Sequence, residues 1–477
     1  MRGQEAAITP ARRGELLLLV GAGVLTLFGA LQVCLATATD PARVLRFAVV
    51  PGVLVLAAFA LDFTGRRRDH LLLPLVGMLC GLSLVSLWRL DAGSALAAEA
   101  AAPTPGSALV GEAAPTTSPA STPTVHVTNH AAKQIVWMIV GVFAMLAVYH
   151  LLRDVRDLAR YKYLSGLLAI GLIVATMVWG IEVNHAKLWL GLKGILTFQP
   201  TELAKLLVCV FLAGYVAANR EVLNSRAGRF AGFSIPELRH LAPLVVFVFG
   251  SLAMFVAQKD LGAAVLFFGL FAVTFYVATG RKTYVLIAAL MFVAGAVAAD
   301  HLFPAHVERR MAAWLDPWAD PHDAGQQILR SLFCFAEGGL VGTGLGGVPL
   351  PSGMGAAHTD LIFAVVAHEI GLAGALAVLL LFAMTAYRGY AIAWQSTDPF
   401  GALLAGGLAT VFALQAMVIV GGTTKLIPLT GITLPFMSYG GTSIVVNFIA
   451  IGILLCISRD CGPEPEAPSA PANRNYR

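Results

Sequence analysis

Charge is what this sequence has least of. Only 12% of its 477 residues are Asp, Glu, Lys or Arg and 58% are hydrophobic, whereas an ordinary soluble domain carries roughly 25% charged and about 45–50% apolar residues. That balance excludes a string of soluble domains. Cysteine is scarce too. Cys34, Cys80, Cys209, Cys334, Cys456 and Cys461 show no CxxC spacing and no small-scaffold pattern, which argues against a zinc site or a disulfide framework. The net charge of +5 comes without a basic stripe, because the cations sit in short loops between apolar runs; no nucleic-acid role is expected. Segment 91–132 contains no Lys or Arg at all.

What the sequence has is length of apolar run. A helix crossing about 30 Å of hydrocarbon needs about 20 apolar residues. Candidate spans fall near 16–37, 44–62, 71–90, 133–152, 163–181, 201–219, 241–258, 261–280, 283–303, 360–387, 402–425 and 434–458, of which 44–62 is the weakest. Backbone exposed to lipid must pair with itself, so these runs are helices. The expected fold is all-α: a polytopic integral membrane bundle of about twelve helices. The first run follows Arg12-Arg13 and ends near Ala36-Thr37-Ala38, like a cleaved leader. Its uncharged stretch is longer than the roughly 7–15 residues of a leader core, and it reads as a retained helix.

Lys and Arg placement orients the bundle. Arg66-Arg67-Arg68, then Arg153, Arg156, Arg160 and Lys162, then Arg220, Arg226, Arg229 and Arg239, then Arg281-Lys282 occupy alternate loops. Those loops and both termini are expected in the cytoplasm. Segment 91–132, rich in Ala, Pro, Ser and Thr, reads as a disordered external loop, and 459–477, with four prolines, as a disordered cytoplasmic tail. The external segment 304–358 is different. It holds Trp314, Asp316-Pro317-Trp318, a helix-like stretch at 324–336 and a run of glycines, and a long loop of that kind is usually ordered and functional.

Charged groups within or beside membrane helices are costly, so each is a candidate for function. Asp260 lies in a short polar break between two apolar runs, where a partly desolvated carboxylate can act as a general base. It can equally pair with Lys259 or cap the next helix. Glu202 and Lys205 open another helix behind Gln199-Pro200; three apart, they share a face. They form a structural pair, or Lys205 meets a phosphate with Glu202 holding it. His358-Thr359-Asp360 begins the next external helix entry, with His368 and Glu369 about 12 Å deeper. An unpaired carboxylate at that depth is expensive. Ser438, Gly440 and Gly441 stand in the last external turn, where glycines let a backbone approach and free amides bind anions, or where helices simply pack closely. Topology puts Glu202, Lys205, Asp260, Asp360 and Ser438 at one membrane face, an arrangement suited to a phosphate-bearing substrate and a base-assisted transfer.

At these residues the chain resembles the SEDS family, which includes FtsW, RodA and SpoVE. The motifs are Ala186-Lys187-Leu188-Trp189, Phe198 to Lys205, Asp260-Leu261-Gly262, Asp316-Pro317-Trp318, Gly342 to Gly346, His358 to Ala364 and Leu434 to Ser443, all in order between about 71 and 458. Residues 1–70 supply two helices beyond the family's usual ten, like an actinobacterial form. The resemblance implies a peptidoglycan glycosyltransferase in the bacterial cytoplasmic membrane that polymerises lipid II outside it, for division or elongation, beside a class B penicillin-binding protein. It implies Asp260 as the base for the acceptor hydroxyl, with Glu202 and Lys205 as the family's acid–base pair. Lys187, Lys205 or a divalent cation (magnesium or manganese) would neutralise the pyrophosphate; no other cofactor is expected. His358, Asp360, Glu369, Ser438, Gly440 and Gly441 are the remaining candidates for binding substrate. Two departures stand out. Lys259 replaces a common proline and is expected to lower the pKa of Asp260; His368-Glu369 stands where the family usually has two acids. The competing readings are a transporter that flips lipid II and an inactive scaffold of the wall-synthesis complex.

Overall fold

Apolar runs without charge fold as helices here because each helix satisfies its own amides. The computed structural model describes residues 10–63, 67–101, 129–183, 186–192, 196–224, 228–230, 233–235, 247–248, 250–251, 254, 258, 260–351 and 354–461. Among the described residues, eleven helices are long and apolar enough to cross a membrane. The run expected at 241–258 lies mostly outside the described residues; positions 247, 248, 250, 251, 254 and 258 are helical.

The elements follow one another as α1 (Pro10–Ala36), a 3₁₀ turn (Pro41–Ala48) continuing into α2 (Val49–Asp62), α3 (Leu72–Ala101), α4 (His130–Leu151), α5 (Arg156–Arg160) and α6 (Lys162–Trp179). Three short strands come next, β1 (Ile181–Val183), β2 (Ala186–Leu192) and β3 (Leu196–Phe198), forming one antiparallel sheet in that order. Then come α7 (Pro200–Ala218), α8 (Arg220–Asn224) and a hairpin of β4 (Gly228–Phe230) and β5 (Phe233–Ile235). The chain finishes with α9 (Leu261–Thr279), α10 (Lys282–Leu302), α11 (Pro304–Leu315), α12 (Gln326–Gly338), α13 (Ile362–Gln395), α14 (Pro399–Thr423) and α15 (Gly441–Arg459).

Several expectations need correction. The two small sheets were not legible, since their strands are three to seven residues long. Segment 91–132 is not one disordered loop: α3 continues to Ala101 and α4 starts at His130, while 102–128 lie outside the described residues. The tail from 462 onward also lies outside them. The long segment after α10 carries two helices, α11 and α12, and only the second was expected. The helix expected at 360–387 extends to Gln395 and breaks at Gly371 (φ 70°, ψ −167°).

Helices α3, α7 and α15 form the interior. In α3, 89% of the best 18-residue window is buried, against 22% in α10, which turns most of its surface outward. The closest pairings are α13 with α14, α15 with α4, α6 with α7 and α1 with α3. Helix α1 is therefore part of the bundle, packed along α3.

One end of the bundle is tied by ion pairs. Arg68 Nη1 and Nη2 donate to Glu15 Oε1 and Oε2 at 2.7 and 2.8 Å, and Arg68 Nε donates to Asp62 at 3.0 Å. His70 Nδ1 stands 2.6 Å from Glu15 Oε2. Asp69 caps α3 through the amides of Leu71 and Leu72, receives Arg388 Nε at 2.9 Å, and gives its own amide to Ser458. These bonds join α1, α2, α3, α13 and α15 at one end of the bundle. The candidate site lies at the other end.

Candidate active site

A helix starting at an uncharged run needs an acceptor for its first amides, and Asp260 supplies it for α9. Its Oδ1 accepts from Ala263 N at 2.9 Å. The cap and the candidate base are thus one group. Among the described residues no hydrogen bond is made to Oδ2. The side chain is buried, and burial pushes its carboxyl above the ordinary carboxylate range, with Glu202 adding to the rise. The Ala263 amide and the cations Arg310 and Lys205 oppose it. Lys259, whose charge was expected to lower it, lies outside the described residues. Burial outweighs the cations that are described.

Arg310, on α11, is the cation that sequence reasoning missed. It faces both Asp260 and Asp360, and its Nη1 donates to Leu429 O at 3.4 Å. Asp360, just ahead of α13, is pushed up to about 6 by burial, against the hydrogen bond from Thr359 and the charge of Arg310. The only sequence sign of Arg310 was a pair of arginines in a long loop segment. Gly262 lets the loop close on this spot: a Cβ there would fall 2.4 Å from Ile432 Cγ2 and 3.1 Å from Thr430 O.

Glu202 and Lys205 lie in the first turns of α7, both buried, with Lys205 Nζ 2.6 Å from Glu202 Oε2. Thr433 Oγ1 reaches Glu202 Oε1 at 3.4 Å and shares a 2.9 Å contact with Ser443 Oγ. Gln199 N donates to Thr442 Oγ1 at 3.2 Å, so the start of α7 is fastened to the start of α15. Asp260, Glu202, Lys205, Arg310 and Asp360 therefore form one electrostatic group of three acids and two bases, built from α7, α9, α11 and the approach to α13.

The other candidates take different places. Ser438 is a strut: its hydroxyl donates to Thr359 O at 2.6 Å and accepts from Leu434 N at 2.8 Å. Gly441 serves close packing, since a Cβ would fall 2.4 Å from the Trp137 ring. Gly440 gives its amide to Gln134 Oε1 at 3.4 Å. His358 stacks on His130. Lys187 is exposed on β2, opposite Glu182, outside the buried group.

Glu369 is buried, but in another setting. Arg89 Nε of α3 lies 2.8 Å from its Oε1, and Gly346 N approaches the same oxygen at 3.4 Å. His368, also buried, meets Glu337 at 3.0 Å and Thr343 at 3.3 Å. The glycine-rich segment after α12 lies along the break in α13. Thr343 N and Gly344 N donate to the carbonyls of His368 and Glu369, and Leu372 N donates back to Gly339 O.

Beside Arg310 an apolar cavity of about 450 Å³ opens between α9, α10 and α11, lined by Phe292, Ala296, Met311, Trp314 and Leu429 among others. A buried carboxylate with a spare oxygen, two cations close by and an apolar cavity alongside can take a proton, hold an anion and receive a hydrocarbon chain. Metal binding fits less well. Among the described residues no group of three or more His, Cys, Asp or Glu side chains is close enough to hold an ion, so no step is drawn through one.

Residues 115–461 match the cell cycle protein family FtsW/RodA/SpoVE. The chain belongs to this family. It is similar to the peptidoglycan glycosyltransferase RodA of Mycobacterium tuberculosis, 38% identical over 466 residues that cover 95% of this chain and 92% of that one. It is 32% identical to the stage V sporulation protein E of Bacillus subtilis, over 69% of this chain and 87% of the relative. Among solved structures it resembles one described as a peptidoglycan synthase complex that coordinates polymerization and crosslinking, at 26% identity and a TM-score of 0.61, covering 83% of this chain and 99% of that one.

Proposed function

We propose that this protein is a peptidoglycan glycosyltransferase that polymerises lipid II into glycan strands at the outer face of the bacterial cytoplasmic membrane. The end carrying Asp260 faces outward, and both termini lie in the cytoplasm. The observation that carries the reading is the buried Asp260 carboxylate, one oxygen committed to α9 and the other without a hydrogen bond among the described residues, facing Arg310 and Lys205. The similarity to named glycosyltransferases over nearly the whole chain supports it.

In this account Asp260 Oδ2 takes the proton of the acceptor sugar's 4-hydroxyl as its oxygen attacks the donor's anomeric carbon. The bond from that carbon to the pyrophosphate breaks, and undecaprenyl pyrophosphate leaves. A carboxylate with a raised pKa is a better base than an ordinary one once ionised. Lys205 and Arg310 meet the charge that develops on the leaving group, with no reorganisation needed at the moment of reaction. The cavity beside Arg310 is suited to the polyprenyl chain. The proposed partner is a class B penicillin-binding protein, in line with the synthase complex whose polymerising and crosslinking activities are coordinated.

The test is direct. Purified protein with its partner is given lipid II, with and without Asp260→Asn, and products are separated by size. Glycan strands from the wild type alone are expected. No polymer from either protein would overturn the reading, and lipid II moved across vesicles without polymer would favour a transporter.

A further inference from the structure

A second group of titratable side chains adjoins the first and has no part in the transfer just described. Asp91 lies near the end of the membrane-crossing part of α3. Its Oδ1 accepts from His130 N at 3.1 Å and its Oδ2 from Ala131 N at 2.8 Å, so it caps α4 from a neighbouring helix. The same Oδ1 lies 2.9 Å from His130 Nδ1. One carboxylate thus fixes both the start of α4 and the plane of its first side chain. A carboxylate on one ring nitrogen sets the tautomer and orientation of an imidazole.

That ring stacks on His358, with centroids 4.4 Å apart and planes 21° apart. Tyr439 stands edge-on to both rings. His358 is held down to about 4, by burial first and then by His130, so it is neutral at ordinary pH.

The stack reaches the candidate site through short links. His358 O accepts from Tyr439 N at 2.8 Å, and Thr359 O accepts from the Ser438 hydroxyl. One turn further along α4, on the same face, Gln134 Nε2 donates to Ser438 O at 3.1 Å. Asp360, which faces Arg310, is two residues beyond His358, so at most about 7 Å of chain separates them. The outer end of α4 therefore holds both segments that frame the site, and Asp91 holds the end of α4.

We propose that Asp91 and His130 are positioning residues for glycosyl transfer: through the stack on His358 they set where Asp360 and Arg310 stand relative to Asp260. This inference rests on the glycosyltransferase reading above. Neither residue touches the reacting atoms, so their loss acts on the geometry of the bound complex rather than on substrate capture.

The experiment measures lipid II polymerisation by the full chain with its partner, for wild type, His130→Ala, His130→Phe and Asp91→Asn, with thermal unfolding in detergent recorded for each. Truncation to alanine is expected to lower kcat by about 10- to 100-fold with KM changed by less than about 3-fold, the size of effect a displacement of about 1 Å produces. His130→Phe keeps a flat ring against His358 and is expected to restore kcat to within about 3-fold of wild type. A wild-type kcat in His130→Ala, or equal losses in the alanine and phenylalanine variants, would overturn the proposal. If His130→Ala unfolds, Asp91→Asn decides: a kcat several-fold lower at unchanged KM supports it, and an unchanged kcat overturns it. A wild type that makes no polymer brings down the transferase reading itself, a result distinct from active wild type with unaffected variants.

Discussion

Arg89 Nε lies 2.8 Å from Glu369 Oε1, with the two side chains 5% and 1% exposed. Sequence placed Glu369 among the substrate-binding groups because a carboxylate at that depth needs a partner. The partner comes from α3, and the pair joins α3 to the broken start of α13. Removing one member leaves the other buried and unpaired, at a cost of about 3–5 kcal/mol. Arg89→Ala should therefore lower the unfolding temperature in detergent strongly, and Arg89→Leu with Glu369→Leu should recover much of the loss. Equal stability of the single variant and wild type would exclude the pair as a structural tie.

Arg310 bears on the acid side of the pH–rate profile. Its charge opposes the rise that burial imposes on Asp260. In Arg310→Ala that opposition is gone, Asp260 holds its proton to higher pH, and the acid limb of kcat/KM should move upward. Arg310→Lys should leave the limb nearer its wild-type position. A profile unmoved by the alanine change would mean Arg310 does not act on the base.

Asp360 gives a stability signature of known sign. Its carboxyl titrates at about 6 in the fold against 3.8 ordinarily. The folded chain therefore binds this proton more tightly than the unfolded chain does. Its contribution is most favourable below the ordinary value and is lost as pH rises towards about 6. Asp360→Asn should flatten that part of the unfolding temperature against pH, and an unchanged slope would contradict the assignment.

Gly342 carries the glycine segment across the break in α13. At φ 90° it holds a conformation that side chains rarely adopt, and a Cβ would fall 2.2 Å from Glu369 O. Gly342→Ala should cost at least about 1–3 kcal/mol from backbone strain alone, whereas Gly355→Ala, with nothing within 4 Å of its Cβ, should be nearly silent. Thermal unfolding of the two variants checks this.

The sequence made the helices legible because hydrocarbon imposes one period and one minimum length. Asp260, Glu202 and Lys205 stood out as polar residues at the ends of apolar runs, and the fold brings them into one buried group. The sequence concealed what depends on which helices become neighbours. Nothing in the sequence singled out Arg89, within the run 71–90, or Arg310, within the segment 304–358. Ser438 and Gly441 fitted either a ligand or close packing; in the fold the first props Thr359 and the second stands against Trp137. Small residues at a helix start are compatible with a ligand or with a neighbour, and only the neighbour's position distinguishes them. The sheet of β1, β2 and β3 escaped because its strands are too short for alternation to show.

The lock between Glu15 and Arg68 has a consequence for how the chain is made. Glu15 belongs to α1, and its guanidinium partner follows 53 residues later, after α2 is complete. A carboxylate at the margin of the bilayer is unfavourable without a partner. Until Arg68 arrives, the first helix therefore has reason to stay at the insertion site rather than drift away into lipid. The ion pair then releases it only as part of a three-helix unit, with α1 already docked on α3.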